Sequence, residues 1–324
     1  MKFLREIAVA SVLSFGLTAG PVHASFFHWG RPHPADAYSQ TKYPIVLVHG
    51  LSGTSKYFGI IDYWWKIPED LRAQGATVYV ANVAAFNSDE QRGEALVKQI
   101  ADVLAATGAS KVNLIAHSQG GTTSRYAAAV RPEWVASVTT ISTPHKGTPV
   151  ADYVATTPAV LKDFLAGGAS IAGAILGLFV GDSQKQDPLA ALAGLTTSGA
   201  ADFNRRFPSA GLPANCDSQG ASTEVRNGNR QKLYSWAGNQ PATNVLDVTD
   251  PMMALGGMII RNAGGGGNDG LVPVCSARFG QDLGQYGWNH VDEINHLFGL
   301  RGLSSADPVV TIRTHANRLK LAGL

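Results

Sequence analysis

Val112-Asn113-Leu114-Ile115-Ala116-His117-Ser118-Gln119-Gly120-Gly121-Thr122 is the stretch whose reading decides the fold. An apolar, β-rich run breaks off into small residues around a serine and then becomes helical. A nucleophilic serine is mounted in this way: it sits on a strained strand-to-helix turn with Oγ exposed, flanked by small residues because a larger side chain would clash with the crossing backbone. Ala116 stands where the usual G-x-S-x-G pattern has its first glycine. Alanine is the smallest residue with a Cβ, so the turn can still close. The bare motif occurs by chance in many chains, but Lys111 to Ala116 before it and Thr122 to Val130 after it supply the strand and helix it requires. The plainer reading is a glycine-rich strand-to-helix turn of an ordinary α/β protein.

Composition narrows the class. The 324 residues are 45% hydrophobic and only 15% charged, with 36 glycines, which suits a large core in one domain over residues 25–324 and excludes a disordered chain. Residues 1–24 read as a secretory signal: Lys2 and Arg5 open it, Ile7 to Leu17 are its apolar stretch, and Val22-His23-Ala24 is a small-residue cleavage site. That stretch is too short to span a bilayer. Its removal takes away Lys2, Arg5 and Glu6, so the formal charge falls from +2 to +1 and leaves no basic patch for nucleic acid. Export places Cys216 and Cys275 where a disulfide persists. They are read as one bridge, with free buried thiols as the alternative, and they lack the number and spacing of a zinc site.

Working outward from Ser118, β-rich segments alternate with helical ones. Ile45 to Val48, Thr77 to Ala81, Val112 to Ala116, Val138 to Ser142 and Leu233 to Trp236 are near-continuously apolar, as buried parallel strands should be. Glu90 to Thr107 carries Leu96, Ile100, Val103 and Leu104 on one helical face, and Gly108 is placed to end it. A mostly parallel central sheet with helices on both faces follows. Thr157 to Leu195, within an insertion of about residues 150–200, departs from the alternation and is more apolar than a surface helix should be. It reads equally as a buried helical insertion or as a lid that opens onto lipid.

A serine nucleophile needs oxyanion donors, a base and an acid to orient the base. The first strand ends in Val48-His49-Gly50-Leu51, where folds that mount serine in this way donate one backbone N–H, the other coming from the residue after the nucleophile. Leu51 and Gln119 are therefore the candidate donors, and His49 reads as structural. In such folds the acid and then the base follow the serine along the chain. His145 comes too early, and His315 lies in the helical pattern Thr311 to Leu321, where a solvated or capping role fits. His290 is preferred over His296 because it ends a glycine-rich loop, Gly280 to Asn289. Asp269 follows GGGGN immediately after the apolar run Gly257 to Ile260, as a strand-end loop would, but Asp247, Asp250, Asp282 and Asp292 remain rivals.

The segments HGLSGTSKYFG, AHSQGG, STPHKGTP, NDGLVPVCSA, WNHVDEIN and the terminal RTHANRLKLAGL, taken together, resemble the secreted triacylglycerol lipases of the Pseudomonas and Burkholderia type. The resemblance is collinear from about Tyr43 to Leu324. It implies an α/β-hydrolase fold, Ser118 as nucleophile, Asp269 as acid, His290 as base, and Leu51 and Gln119 as oxyanion donors. It also implies that the apolar insertion is a lid and that Cys216 pairs with Cys275. The family carries a calcium ion (Ca2+), whose ligands map onto the carboxylates of Asp247 and Asp292 and the backbone carbonyls of His296 and Leu300. His296 departs from the glutamine common in the family, a change that carbonyl coordination tolerates. On sequence alone, Asp247 and Asp292 would read as surface carboxylates, since no contiguous calcium loop is present. The resemblance further implies a lipid substrate at an oil-water interface, secretion through the periplasm with a dedicated foldase as partner, and a monomeric enzyme. Two other readings stay open: a broad esterase or polyester hydrolase without interfacial activation, and a catalytically silent lipid-binding protein on the same fold.

Overall fold

Along the first strand, β1 (Ile45–Val48), all four side chains are buried, and they alternate between two cores. Ile45 and Leu47 pack with Trp64, Ile67, Leu71, Ile312 and Leu319 on one face, while Val46 and Val48 meet Leu96, Ile100, Val103 and Ala127 on the other. A strand covered on both faces has no polar side to show, which is why it reads as a continuous apolar run. The structure, a computed structural model, describes residues 37–51, 56–57, 61–165 and 185–324. The secretory signal expected over residues 1–24 and the middle of the expected lid, residues 166–184, lie outside the described residues.

A short antiparallel pair, β2 (Lys56–Tyr57) and β3 (Ile61–Asp62), stands apart from the main sheet. Among the described residues the main sheet has seven strands. β4 (Val78–Val80), β1, β5 (Val112–His117), β6 (Val135–Ile141) and β8 (Asn229–Gly238) lie side by side and parallel. Two strands share the outer edge of β8: β7 (Thr223–Arg226) antiparallel along its first half and β9 (Gln281–Tyr286) parallel along its second. Pairing sets Val48 opposite Ala116 and His117 opposite Ile141, so β1, β5 and β6 end nearly together. The residues just beyond those ends, His49, Ser118 and Ser142, gather at one edge of the sheet, where open α/β sheets bind their ligands.

Helix Asp89–Thr107 begins where Ser88 Oγ accepts the Gln91 N–H at 3.3 Å and ends at Gly108, whose φ of 68° lies in the left-handed region that glycine adopts without cost. It packs with helix Gly120–Val130 on one face of the sheet; helices Ile67–Ala73 and Pro308–Leu321 cover the other. Between β6 and β7 comes the helical insertion: Pro149–Thr156, Pro158–Leu165, Pro188–Leu195 and Thr197–Arg206. Its Ala151, Phe164, Ala191, Leu192 and Leu195 form a separate apolar cluster with Ala85 and Phe86, against which Leu51 packs. Cys216 and Cys275 are disulfide-bonded, closing a separation of 59 residues.

Three expectations are corrected. Gly280 to Asn289 is not simply a loop, because Gln281–Tyr286 forms β9. It is a partly exposed edge strand holding a glycine, so it lacks the apolar signature of the central strands. The run Gly257 to Ile260 is the last part of helix Asp250–Asn262 rather than a strand, a distinction that so short a run does not carry. His315 is neither solvated nor a cap. It is 1% exposed, with Nε2 2.7 Å from Thr139 Oγ1 on β6 and Nδ1 3.0 Å from Arg318 Nη1, so it pins its helix to the sheet.

Arg318 donates to Nδ1 of His315, which leaves Nε2 to carry the proton and donate to Thr139, and the neutral ring uses both nitrogens. Burial, reinforced by Arg318, pushes this histidine down from 6.5 to about 3. Burial and Arg92 push His49 down to about 3 as well. With folded pKa values below the unfolded one, the unfolded chain takes the proton first. The stability these groups contribute is therefore complete above pH 6.5 and is lost as pH falls toward about 3, by about 1.4 kcal/mol per pH unit for each fully buried ring. Melting curves of wild type and His315→Gln between about pH 7 and pH 4 check this. The variant should be less stable at pH 7 and lose less on acidification, and parallel pH profiles would contradict it.

Candidate active site

Ser118 follows β5 with φ of 55°, a conformation that L residues rarely adopt and that surrounding structure must enforce. Its N–H donates to Ile141 O at 2.9 Å, and its carbonyl accepts the hydroxyl of Thr143 at 2.8 Å and the N–H of Gly121 at 3.0 Å. The crossing chain leaves no room for side chains here. A Cβ on Gly120 would lie 2.4 Å from Val48 O, and one on Gly121 would lie 2.0 Å from Thr143 Oγ1. Ala116, by contrast, still belongs to the strand, and its methyl group packs into the core. This is why the first position of the motif tolerates alanine.

Asp269 and His290 come together from separate loops beyond β8 and β9. His290 Nδ1 lies 2.7 Å from Asp269 Oδ2, and the His290 N–H donates to the Asp269 carbonyl at 3.0 Å. The other carboxylate oxygen, Oδ1, accepts the N–H groups of Leu271 at 2.8 Å and Val272 at 2.7 Å. Burial alone would push Asp269 up, but the charge and hydrogen bond of His290, with the two amides, hold it below the usual carboxylate range. Its sequence rivals are engaged elsewhere: Asp282 faces Arg278 at 3.4 Å, and Asp250 accepts from the amides of Thr243 and Asn244 at 2.7 Å each. Of the rival histidines, His145 stacks on Phe279 at 4.7 Å and His296 lies edge-on to Tyr63 at 6.4 Å.

Gly50 lies hard against the serine, for a Cβ on it would stand 2.6 Å from Ser118 Cβ. The loop His49 to Leu51 is held by the fully buried guanidinium of Arg92, which donates to His49 O at 2.6 Å and Gly50 O at 3.1 Å, as well as to Ala84 O and to Thr123 Oγ1. His49 accepts the Val83 N–H on Nε2 at 3.2 Å and turns Nδ1 to Gly50 O at 3.0 Å, the structural role expected of it. Gln119 occupies the N-cap position of helix Gly120–Val130, ahead of its hydrogen-bond ladder. Its side chain is tied away by a 2.9 Å bond from Nε2 to Asn87 O.

Sequence reasoning missed a second buried constellation beside the His290 and Asp269 pair. Glu293 Oε1 accepts from Ser142 Oγ at 2.6 Å and from the Gly238 N–H at 2.7 Å, and its Oε2 faces His117 Nε2 at 3.3 Å. Burial and the neighbouring Asp269 push this carboxyl well above its ordinary range, so the two carboxylates divide into one charged and one protonated group. His117, whose ring centroid is 4.5 Å from that of His290, offers its other nitrogen to Tyr63 OH at 2.6 Å. His117, His290 and Glu293 present ligand-type atoms within 4.8 Å of one another, a donor set of two nitrogens and an oxygen that suits a transition metal better than a hard cation. The only clue in the sequence was Glu293 lying between apolar residues, Val291 and Ile294, on either side of its DE pair.

Asp247 and Asp292 are 2% and 1% exposed, not surface carboxylates. Oδ2 of Asp292 accepts from Thr243 Oγ1 at 2.8 Å and the Asn289 N–H at 3.2 Å, while its buried Oδ1 has no hydrogen-bond partner among the described residues. Burial pushes Asp292 up to about 7; bonds from Thr243 and Asn289 oppose this, and Asp247 and Asp250 add to it. Asp247 and Asp250 are bridged by the amide of Asn289, at 3.4 and 2.8 Å. Next to His290, then, stands a group of buried acids with an oxygen to spare.

Across residues 43–281 the sequence matches the family described as alpha/beta hydrolase fold. A triacylglycerol lipase of Pseudarthrobacter phenanthrenivorans is 49% identical, covering 90% of this chain and 100% of that protein. One of Burkholderia plantarii is also 49% identical, covering 90% and 89%, and one of Vibrio cholerae serotype O1 is 47% identical, covering 89% and 90%. Among solved structures, the mature Bacillus licheniformis lipase BlEst2 superposes with a TM-score of 0.58 at 21% identity, over 90% of this chain and 94% of that one. Staphylococcus hyicus lipase does so with 0.58 at 18%, over 90% and 99%. At such identities these two structures speak for the fold alone. The family match over most of the chain and the nearly half-identical relatives bear out the resemblance carried by the motifs: this chain belongs to the α/β-hydrolase fold family, in the branch that holds these bacterial triacylglycerol lipases.

Proposed function

We propose that this protein is an exported lipase that hydrolyses long-chain triacylglycerols with Ser118 as nucleophile, His290 as general base and Asp269 as the acid that orients it. The observation that carries this reading is the 2.7 Å bond between His290 Nδ1 and Asp269 Oδ2 in a chain that strains Ser118 to a φ of 55°. With Nδ1–H committed to Asp269, Nε2 is left to take the proton as Ser118 Oγ attacks the ester carbonyl. The N–H groups of Leu51 and Gln119 stabilise the oxyanion, and the proton then leaves with the alcohol. Water, activated by the same nitrogen, attacks the acyl-enzyme and frees the fatty acid.

The insertion acts as the lid. The apolar cluster that joins Leu51 to Phe164, Leu192 and Leu195 supports an acyl-binding face beneath it, and Leu165 and Leu189, about half exposed, suit contact with lipid. Asp247 and Asp292, with the backbone carbonyls of His296 and Leu300, would hold calcium, and the spare carboxylate oxygen of Asp292 fits a hard cation. Such an ion would supply positive charge to the buried acids beside His290. The disulfide fits an oxidising destination, reached by removal of residues 1–24 and passage through the periplasm with a foldase, the enzyme acting as a monomer.

Emulsified long-chain triacylglycerol set against a soluble short-chain ester, across the concentration at which the short substrate forms an interface, tests the substrate and the lid. A lipase turns over the emulsion and shows a jump at the interface; smooth kinetics confined to short esters would leave the triad and make the protein an esterase. Ser118→Ala should cut turnover by about 10⁶-fold while leaving the melting temperature within a few degrees, and a fully active variant would remove Ser118 from the mechanism. Chelation should lower the melting temperature and spare kcat measured at 25 °C. Melting and activity both unchanged would eliminate the calcium.

A further inference from the structure

A buried chain of hydrogen bonds joins the loop before Leu51 to the turn that carries Ser118, and it uses neither the triad side chains nor the amides of Leu51 and Gln119. Gly50 N–H donates to the phenol oxygen of Tyr63 at 3.0 Å, and that oxygen lies 2.6 Å from His117 Nδ1. The phenol oxygen thus ties the Gly50 amide to the imidazole of His117. On the far side of the ring, His117 Nε2 faces Glu293 Oε2 at 3.3 Å without a hydrogen bond between them. The hydrogen-bonded chain thus runs from Gly50 through Tyr63 to His117, and beyond it stands Glu293, whose Oε1 is anchored by Ser142 and the Gly238 amide. Tyr63 and His117 are 3% and 2% exposed, so the chain is shielded from competing water.

We propose that Tyr63 and His117 are positioning residues for the oxyanion site: through Gly50 they lock the orientation of the Gly50-Leu51 peptide relative to Ser118. This rests on the reading of Leu51 N–H as an oxyanion donor. Arg92 grips the same loop by its carbonyls, on His49 and Gly50, and so fixes where the loop lies. Tyr63 grips the preceding peptide by the Gly50 amide, on the side away from those carbonyls, so the glycine is held at both of its peptide groups. His117 adjoins Ser118 in sequence, so loop and nucleophile share one reference point. The Tyr63 ring belongs to the buried cluster with Trp64, Ile115, Ile141 and Trp236 and lies among the rings of His49, His117 and His296.

Tyr63→Phe tests this by removing one oxygen. On soluble p-nitrophenyl butyrate, kcat should fall roughly 10- to 100-fold, because a displaced oxyanion donor costs somewhat less than a deleted one, while KM stays within about twofold. The inhibition constant of phenylboronic acid, whose tetrahedral adduct places an oxygen in the oxyanion site, should rise by a similar factor. His117→Leu should match Tyr63→Phe, and His117→Gln, which keeps an acceptor and a donor, should recover part of the loss. Wild-type kcat in folded Tyr63→Phe would overturn the proposal. So would a loss explained by the unfolded fraction alone, with boronate affinity per folded molecule unchanged. If Tyr63→Phe does not fold, equal kcat in the Gln and Leu variants of His117 decides against it. A wild-type protein that neither hydrolyses the ester nor binds the boronate would instead retire the catalytic reading beneath it.

Discussion

The backbone of Ser118 is where the rest of the structure is decided. A positive φ at a serine between a buried strand and a buried helix persists only if its surroundings hold it there, and they do so by exclusion and by hydrogen bonds together. The end of β1 leaves Gly120 no space for a Cβ, Thr143 beyond β6 leaves none for Gly121, and Ser118 itself leaves none for Gly50. Ile141 takes the serine amide and Thr143 its carbonyl. The parallel register that aligns Val48, Ala116 and Thr140 is what brings these three strand ends to the turn. Shifting that register by one residue would exchange the two cores as well as displace the serine.

The second theme is the number of ionisable groups kept within a dry interior. Asp269 is held charged by two amides and His290, and Glu293, its neighbour, is held protonated by burial and by that same charge. Two carboxyl groups so placed cannot both ionise cheaply, so the presence of one assigns the state of the other. His49, His117, His145 and His315 are all pushed down by burial and stay neutral, and His49, His145 and His315 each turn both ring nitrogens to a polar partner. These neutral rings serve as rigid two-ended connectors. His315 links a helix to β6, and His49 links the loop after β1 to Val83.

The central strands, the long helix capped at Ser88 and Gly108, and the serine turn were legible because each is set by local pattern: continuous burial, helical spacing, and small residues at a crossing. The edge strand β9 was not, since a strand paired on one side and partly wet on its faces looks like a loop. Choosing Asp269 from five aspartates, or His290 from four histidines, needed motif resemblance. Their 2.7 Å contact joins residues 21 apart through tertiary folding that no local pattern encodes. The Tyr63, His117 and Glu293 network was invisible for the same reason, with Tyr63 and His117 separated by 54 positions. Asp247 and Asp292 looked like surface acids because their burial comes from packing of distant loops around Asn289.

The central claim is that strain and packing single out Ser118 as the reactive hydroxyl. Intact-mass analysis and peptide mapping after treatment with diisopropyl fluorophosphate test it most directly. One adduct per chain, carried by the peptide that contains Ser118 and lost on prior denaturation, is the predicted result. No adduct on the folded protein, or an adduct on a different residue, would contradict the account.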